Sequence, residues 1–148
     1  MKKLYLLLSL SLILVSCTIE PSKIEYGKDA CNFCKMTIVD KTHAAQIVTK
    51  KGKSYKYDAI ECMLNDMKDK DKSKMELFLV TDYLNPTTLI DANSATFLIS
   101  PAIKSPMGAN LSAFKNKEDV AKLIKSDVDK SYNWQELQAR YQSGSQGK

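Results

Sequence analysis

Apolar and polar positions alternate over residues 34–39, with Cys34, Met36 and Ile38 on one side and Lys35, Thr37 and Val39 on the other. A period of two predicts a strand there. Two more β-rich runs, Ala44–Thr49 and Ser54–Tyr57, flank Lys50-Lys51-Gly52-Lys53 and predict a hairpin. The period then changes. Ile60, Met63, Leu64 and Met67 fall on one helical face, with Cys62 off that stripe, up to the charge run Lys68–Lys74. Asp58 and Glu61, three residues apart, predict a capping box at the helix start, with Asp in the usual Ser or Thr place.

The second half repeats this order loosely. Met75–Tyr83 predicts a strand, and Thr87–Ser100 holds two short extended pieces. Ser105–Phe114 is a loop interrupted by Pro106 and Gly108 that leads into a final strand. Asn116–Asp127 reads as a helix capped by Asn116 with Val120, Leu123 and Ile124 inward. Trp134, Leu137 and Tyr141 predict a terminal helix after Asn133, followed by a frayed end. Strand, strand, helix, strand, about twice over, argues an α+β fold of two small ββαβ units with antiparallel sheets and packed helices. The folded domain is expected over 31–143, with halves of about 31–74 and 75–130 and a disordered tail at 144–148.

The N-terminus changes the picture of where the protein works. Lys2 and Lys3 precede a leucine-dominated run, Leu4–Val15, that is short for a membrane span, which needs about 20 residues. This predicts a cleaved secretory signal over 1–16. Leu14-Val15-Ser16-Cys17 resembles a bacterial lipobox, so Cys17 is expected to carry lipid and to anchor the chain to a membrane facing the periplasm. Residues 17–30, rich in Pro, Gly and charge without apolar period, are expected to form a flexible tether. The formal net charge is +5, two units of it from Lys2 and Lys3, and the remaining lysines are scattered, so no nucleic-acid footprint is visible.

Setting Cys17 aside leaves Cys31, Cys34 and Cys62, an odd number in a compartment where disulfides form. If 34–36 is a strand, the Cys34 and Met36 sulfurs share a face and can reach one ion, with Cys31 a turn away. Thiolate with thioether is a soft set that suits Cu(I), and the single histidine leaves structural zinc short of ligands. His43, Cys62 and Met107 are the remaining groups able to bind a soft metal. Three blander readings stay open: Met36 as core beside Ile38, Cys31–Cys34 as a redox disulfide, and His43 as a surface residue beside the hairpin.

The stretches Cys31–Met36 ("CNFCKM"), Ala44–Val48, Gly52–Leu64 and Ser105–Phe114, in that order behind a lipobox, resemble the NosL family of copper-binding lipoproteins associated with nitrous oxide reductase. The likeness covers about Lys28 to Lys125. It implies a pair of ββαβ units similar in topology to the organomercury lyase MerB. It further implies a chaperone that holds one Cu(I) and supplies the copper-sulfide site of that reductase or its assembly factors. By motif, Cys34 and Met36 are the favoured ligands and Cys31 accessory. The family usually has Gly where this chain has Lys35.

The function expected is therefore a membrane-anchored Cu(I) carrier without catalysis of its own, delivering to a periplasmic cuproenzyme, with a homodimer around copper left open. The competing reading is a periplasmic thiol-disulfide oxidoreductase using Cys31 and Cys34. A MerB-like lyase or a plain structural lipoprotein are further alternatives.

Overall fold

A computed structural model describes residues 18–144. The signal at 1–16, the lipidation site Cys17 and residues 145–148 of the tail lie outside the described residues. Among those described, no helix is long and apolar enough to cross a membrane.

The predicted hairpin forms from β1 (Ala45–Thr49) and β2 (Ser54–Tyr57), with Ala45 opposite Tyr57 and Val48 opposite Ser54. Gly52 makes its turn possible by adopting φ +78°, a left-handed conformation that costs glycine little. The stripe Ile60, Met63, Leu64 and Met67 is buried along α1 (Ile60–Asp66) and the short 3-10 turn that continues it. β3 (Met75–Thr81) returns beside β1, and β4 (Leu89–Asp91) pairs with β3, giving a four-stranded antiparallel sheet ordered β2-β1-β3-β4.

The second sheet is built from β5 (Thr96–Ile99), β6 (Leu111–Phe114) and β7 (Lys130–Tyr132), ordered β6-β5-β7, with α2 (Lys117–Leu123) between β6 and β7. In both sheets the first strand is central, its hairpin partner lies on one side, and the strand after the helix lies on the other. The two-unit α+β reading therefore holds, but the boundary drawn at 74/75 cuts the first unit, because β3 and β4 complete its sheet. A parallel bridge between Asp82 and Ala113, with Tyr83 N–H donating to the Ala113 carbonyl at 2.8 Å, ties one sheet to the other. The common core includes Ile47, Ile60, Met63, Val80, Phe97 and Leu111, and is closed by Trp134 and Leu137 of α3 (Trp134–Ser143).

Four sequence expectations are corrected. Residues 34–39 form no strand. Residues 21–30 are packed rather than a free tether: Ile24 is buried, Ser22 exchanges two hydrogen bonds with Gln46, and Lys56 Nζ donates to the Lys23 carbonyl at 2.6 Å. The single buried apolar anchor has no period to betray it. Ile124 is exposed because α2 ends at Leu123 and Ile124 turns to an extended conformation. The capping box is absent at α1, whose N-cap is Ala59 with no side-chain cap. Asn133 and Glu136 do form one at α3.

Candidate metal centre

Both carboxylates expected to cap α1 are used elsewhere, and one of them marks the site. Glu61 accepts from the Ser105 hydroxyl and, at 3.3 Å, from the Ala109 N–H, so it hooks the 105–110 loop onto the first turn of α1. Asp58 turns to the sulfur cluster and accepts from Cys34 Sγ at 3.4 Å.

Residues 27–38 make a narrow finger instead of a strand. Gly27 N–H donates to the Ile38 carbonyl (2.8 Å), Ile38 N–H to Asp29 (2.9 Å) and Cys31 N–H to Met36 (2.8 Å), with Ala30 bridged to Thr37. Its tip, Asn32–Cys34, is closed by Lys35 N–H donating to the Cys31 carbonyl at 3.0 Å, and is stapled to β2 by Asn32 N–H donating to Lys56 at 2.7 Å. Cys31 is thereby carried fully inside while Cys34 stays half-buried. Asp58 follows directly on β2, and Cys62 lies in the first turn of α1.

The result is a group of four donors, Cys31, Cys34, Asp58 and Cys62, whose ligand atoms lie within 4.8 Å of one another. The three cysteines are free thiols. The Cys31 thiol is lowered to about 6, because the Cys62 S–H donates to it and the Asp58 and Cys34 backbone N–H groups assist, against the cost of burial. Cys62, whose proton serves that hydrogen bond, is pushed up strongly. Cys34 is raised by burial and by the anions beside it. Of the three thiols, Cys31 is therefore the one that gives up its proton most readily. Asp58 Oδ2 is buried without a hydrogen-bond partner, as is Glu61 Oε2 outside the cluster. A buried carboxylate oxygen without a donor is costly, and at Asp58 it stands on the residue that also faces the thiols.

The expected site residues are placed unequally. Cys31 and Cys34 come together as expected, and Cys62 joins them although the helical pattern set it aside. The strand geometry that was to bring Cys34 and Met36 onto one face is absent, because Lys35 between them adopts φ +66°. Met36 is 52 % exposed beside the cluster and Met107 42 % exposed on the loop tied to Glu61. His43 is buried rather than on the surface, with Nε2 3.0 Å from Ser112 Oγ and Nδ1 2.9 Å from Thr42 Oγ1 and 3.1 Å from Asp40. It joins the two sheets and stands outside the four-donor group. Sequence reasoning missed Asp58 as a site residue and gave Cys62 only as one of the remaining groups able to bind a soft metal. The odd cysteine count was the signal for Cys62.

Lys35 also yields a stability prediction. A side chain in the left-handed region costs about 1–2 kcal/mol, against about 0.5–1 kcal/mol for the extra chain entropy of glycine. Lys35→Gly is thus expected to stabilise the metal-free protein by roughly 0.5–1 kcal/mol, read as a higher urea midpoint at unchanged slope. An unchanged or lower midpoint would show that the Lys35 ammonium, which donates to the Asn32 carbonyl, outweighs the backbone strain.

A family model described as NosL matches residues 22–142. Among solved structures, the chain is similar to the crystal structure of the copper chaperone NosL from Shewanella denitrificans, with 19 % identity and a TM-score of 0.69. The match covers 80 % of this chain and 96 % of that one, and at this identity it establishes the fold. Compared with curated proteins, the chain finds no match.

Proposed function

The chain belongs to the NosL family, and on that premise we propose that it carries one Cu(I) as cargo and hands it to a periplasmic cuproenzyme, without catalysis of its own. The observation that carries this reading is the convergence of three free thiols and a buried carboxylate within 4.8 Å. Thiolates hold Cu(I) well and exchange it with incoming soft ligands. Cys31 and Cys34 are the primary donors, Cys62 the third, and Asp58 the anion that balances the cation's charge. The exposed thioethers of Met36 and Met107 suit transfer more than storage.

Family membership favours nitrous oxide reductase, at its copper-sulfide site, as recipient. Lipidation of Cys17 would hold the domain close to the membrane, on a tether that the packing of residues 21–30 restricts to the few residues before Pro21. The oxidoreductase reading fares worse: the thiol with the lowered pKa is Cys31, fully buried, whereas the more accessible Cys34 is raised. A thiolate that cannot be reached cannot attack a partner disulfide.

The metal itself needs testing, because the structure removes the shortage of donors that argued against zinc. Three Cys and one Asp suffice in number for a tetrahedral site. Anaerobic titration of the reduced protein lacking residues 1–17 is expected to show one Cu(I) retained against a competing chelator and not displaced by excess Zn(II). Loss of Cu(I) to the chelator, or its displacement by zinc, would remove the copper reading. Met36→Ala is expected to slow transfer to an acceptor thiol while lowering affinity less than Cys34→Ser.

A further inference from the structure

The four donors come from three separate segments, the finger tip at 31–34, the end of β2 at 58 and the first turn of α1 at 62, and no covalent link holds them together. One carboxylate oxygen touches all three segments. Asp66 lies one helical turn beyond Cys62 in α1. Its Oδ2 accepts from Asn32 Nδ2 at 2.8 Å and from the Tyr57 hydroxyl at 2.6 Å. Asn32 sits between Cys31 and Cys34, and Tyr57 immediately precedes Asp58. Lys70 Nζ, 3.4 Å from the same oxygen, also lies 4.2 Å from the centre of the Tyr55 ring in β2, so the carboxylate is itself held in place.

We propose that Asp66 is a positioning residue for the thiol cluster: it touches no cargo, and it sets the spacing of the donors by locking the finger and the β2 end onto α1. Hydrogen bonds to an ionised carboxylate are short and roughly twice as strong as neutral ones, so a single oxygen can hold two segments against a third. Groups that orient metal donors without touching the ion typically govern affinity by 10- to 100-fold. Asp66 adds a link to α1 for a finger that is joined to the β2 side by the Asn32 N–H bond to Lys56 (2.7 Å), the Cys34 Sγ bond to Asp58 (3.4 Å) and the Lys56 Nζ–Asp29 pair (2.7 Å). Tyr57 is fully buried, and its hydroxyl donates to Asp66.

The affinity arm of the test rests on the copper reading, and a metal-free arm does not. Asp66→Ala is expected to weaken Cu(I) binding about 10- to 100-fold and to speed alkylation of Cys34 in the metal-free protein. Asn32→Ala should do the same in part, and the Asp66→Ala/Asn32→Ala double variant should fall little further than Asp66→Ala alone, since both remove one contact. Asp66→Asn keeps a carbonyl oxygen able to accept both bonds but not the charge that strengthens them, and should fall between the parent and Asp66→Ala in both affinity and alkylation rate. If Asp66→Ala lowers the melting temperature but leaves both Cu(I) affinity and Cys34 alkylation unchanged, Asp66 is merely structural and the proposal fails. It fails equally if Asp66→Asn behaves like Asp66→Ala. If the parent binds no Cu(I), the function proposed above falls, and the alkylation rates still decide the role of Asp66.

Discussion

Cys31→Ser is expected to weaken Cu(I) binding by more than about 100-fold, beyond the range typical for groups that only orient a ligand. Cys31 is the thiol whose pKa is lowered, to about 6, by the Cys62 S–H and the neighbouring backbone N–H groups, so of the three it ionises most readily for the ion. A serine hydroxyl is nearly isosteric, stays protonated, and is hard where Cu(I) is soft. It would also leave the Cys62 S–H and the Asp58 N–H pointing at a weaker acceptor. The loss should exceed that of Met36→Ala, whose side chain is half-exposed. A competition titration against a chelator reads the effect directly, with circular dichroism confirming that the variant is folded. An affinity within tenfold of the parent would mean that the ion is held elsewhere.

The largest stability effect is expected at Trp134. Its ring stacks on Phe97 of β5, with centroids 5.6 Å apart at 29°, and meets Phe78 of β3 at 6.0 Å and 46°. Those two phenylalanines belong to different sheets, so the first residue of α3 closes the core that joins the two ββαβ units. Trp134→Ala should cost about 3–5 kcal/mol, the usual range for truncating a buried large aromatic. Domains of this size have only about 5–15 kcal/mol in total, so the variant should lose a large share of its stability. Urea denaturation measures this. A loss below about 1.5 kcal/mol, within what conservative core swaps cost, would show that α3 is not integral to the core.

The elements legible in the sequence were those with strong local signals. The hairpin β1–β2 showed as two β-rich runs on either side of a glycine turn and α1 as an apolar stripe, although β1 buries Ala45 through Val48 without alternation and α1 buries Glu61 and Cys62 as well. β7 escaped notice because Lys130 and Ser131 are exposed and Tyr132 alone packs inward, leaving no alternation to read. The apparent strand at 34–39 shows the opposite failure. Cys34, Met36 and Ile38 alternate, but the backbone turns at Asn32–Cys34 and Lys35 in the left-handed region breaks the period locally.

The candidate site was half legible for a related reason. Cys31 and Cys34 are neighbours in sequence and announced themselves. Asp58 looked like a helix cap because a carboxylate before a helix usually is one. The finger approaching from 31–34 gives it a thiol to face instead. Cys62 lies off the apolar stripe, which the helical period reads as outward. The finger covers that side of α1, so the residue is buried. His43 was offered as a ligand on residue type alone, and its two ring nitrogens are taken up by Asp40, Thr42 and Ser112.

X-ray absorption at the copper edge of the Cu(I)-loaded protein tests the site most directly. The account predicts a first shell dominated by sulfur, which thins in Cys31→Ser and again in Cys62→Ser. A shell of nitrogen and oxygen, or a sulfur shell indifferent to both substitutions, would contradict it.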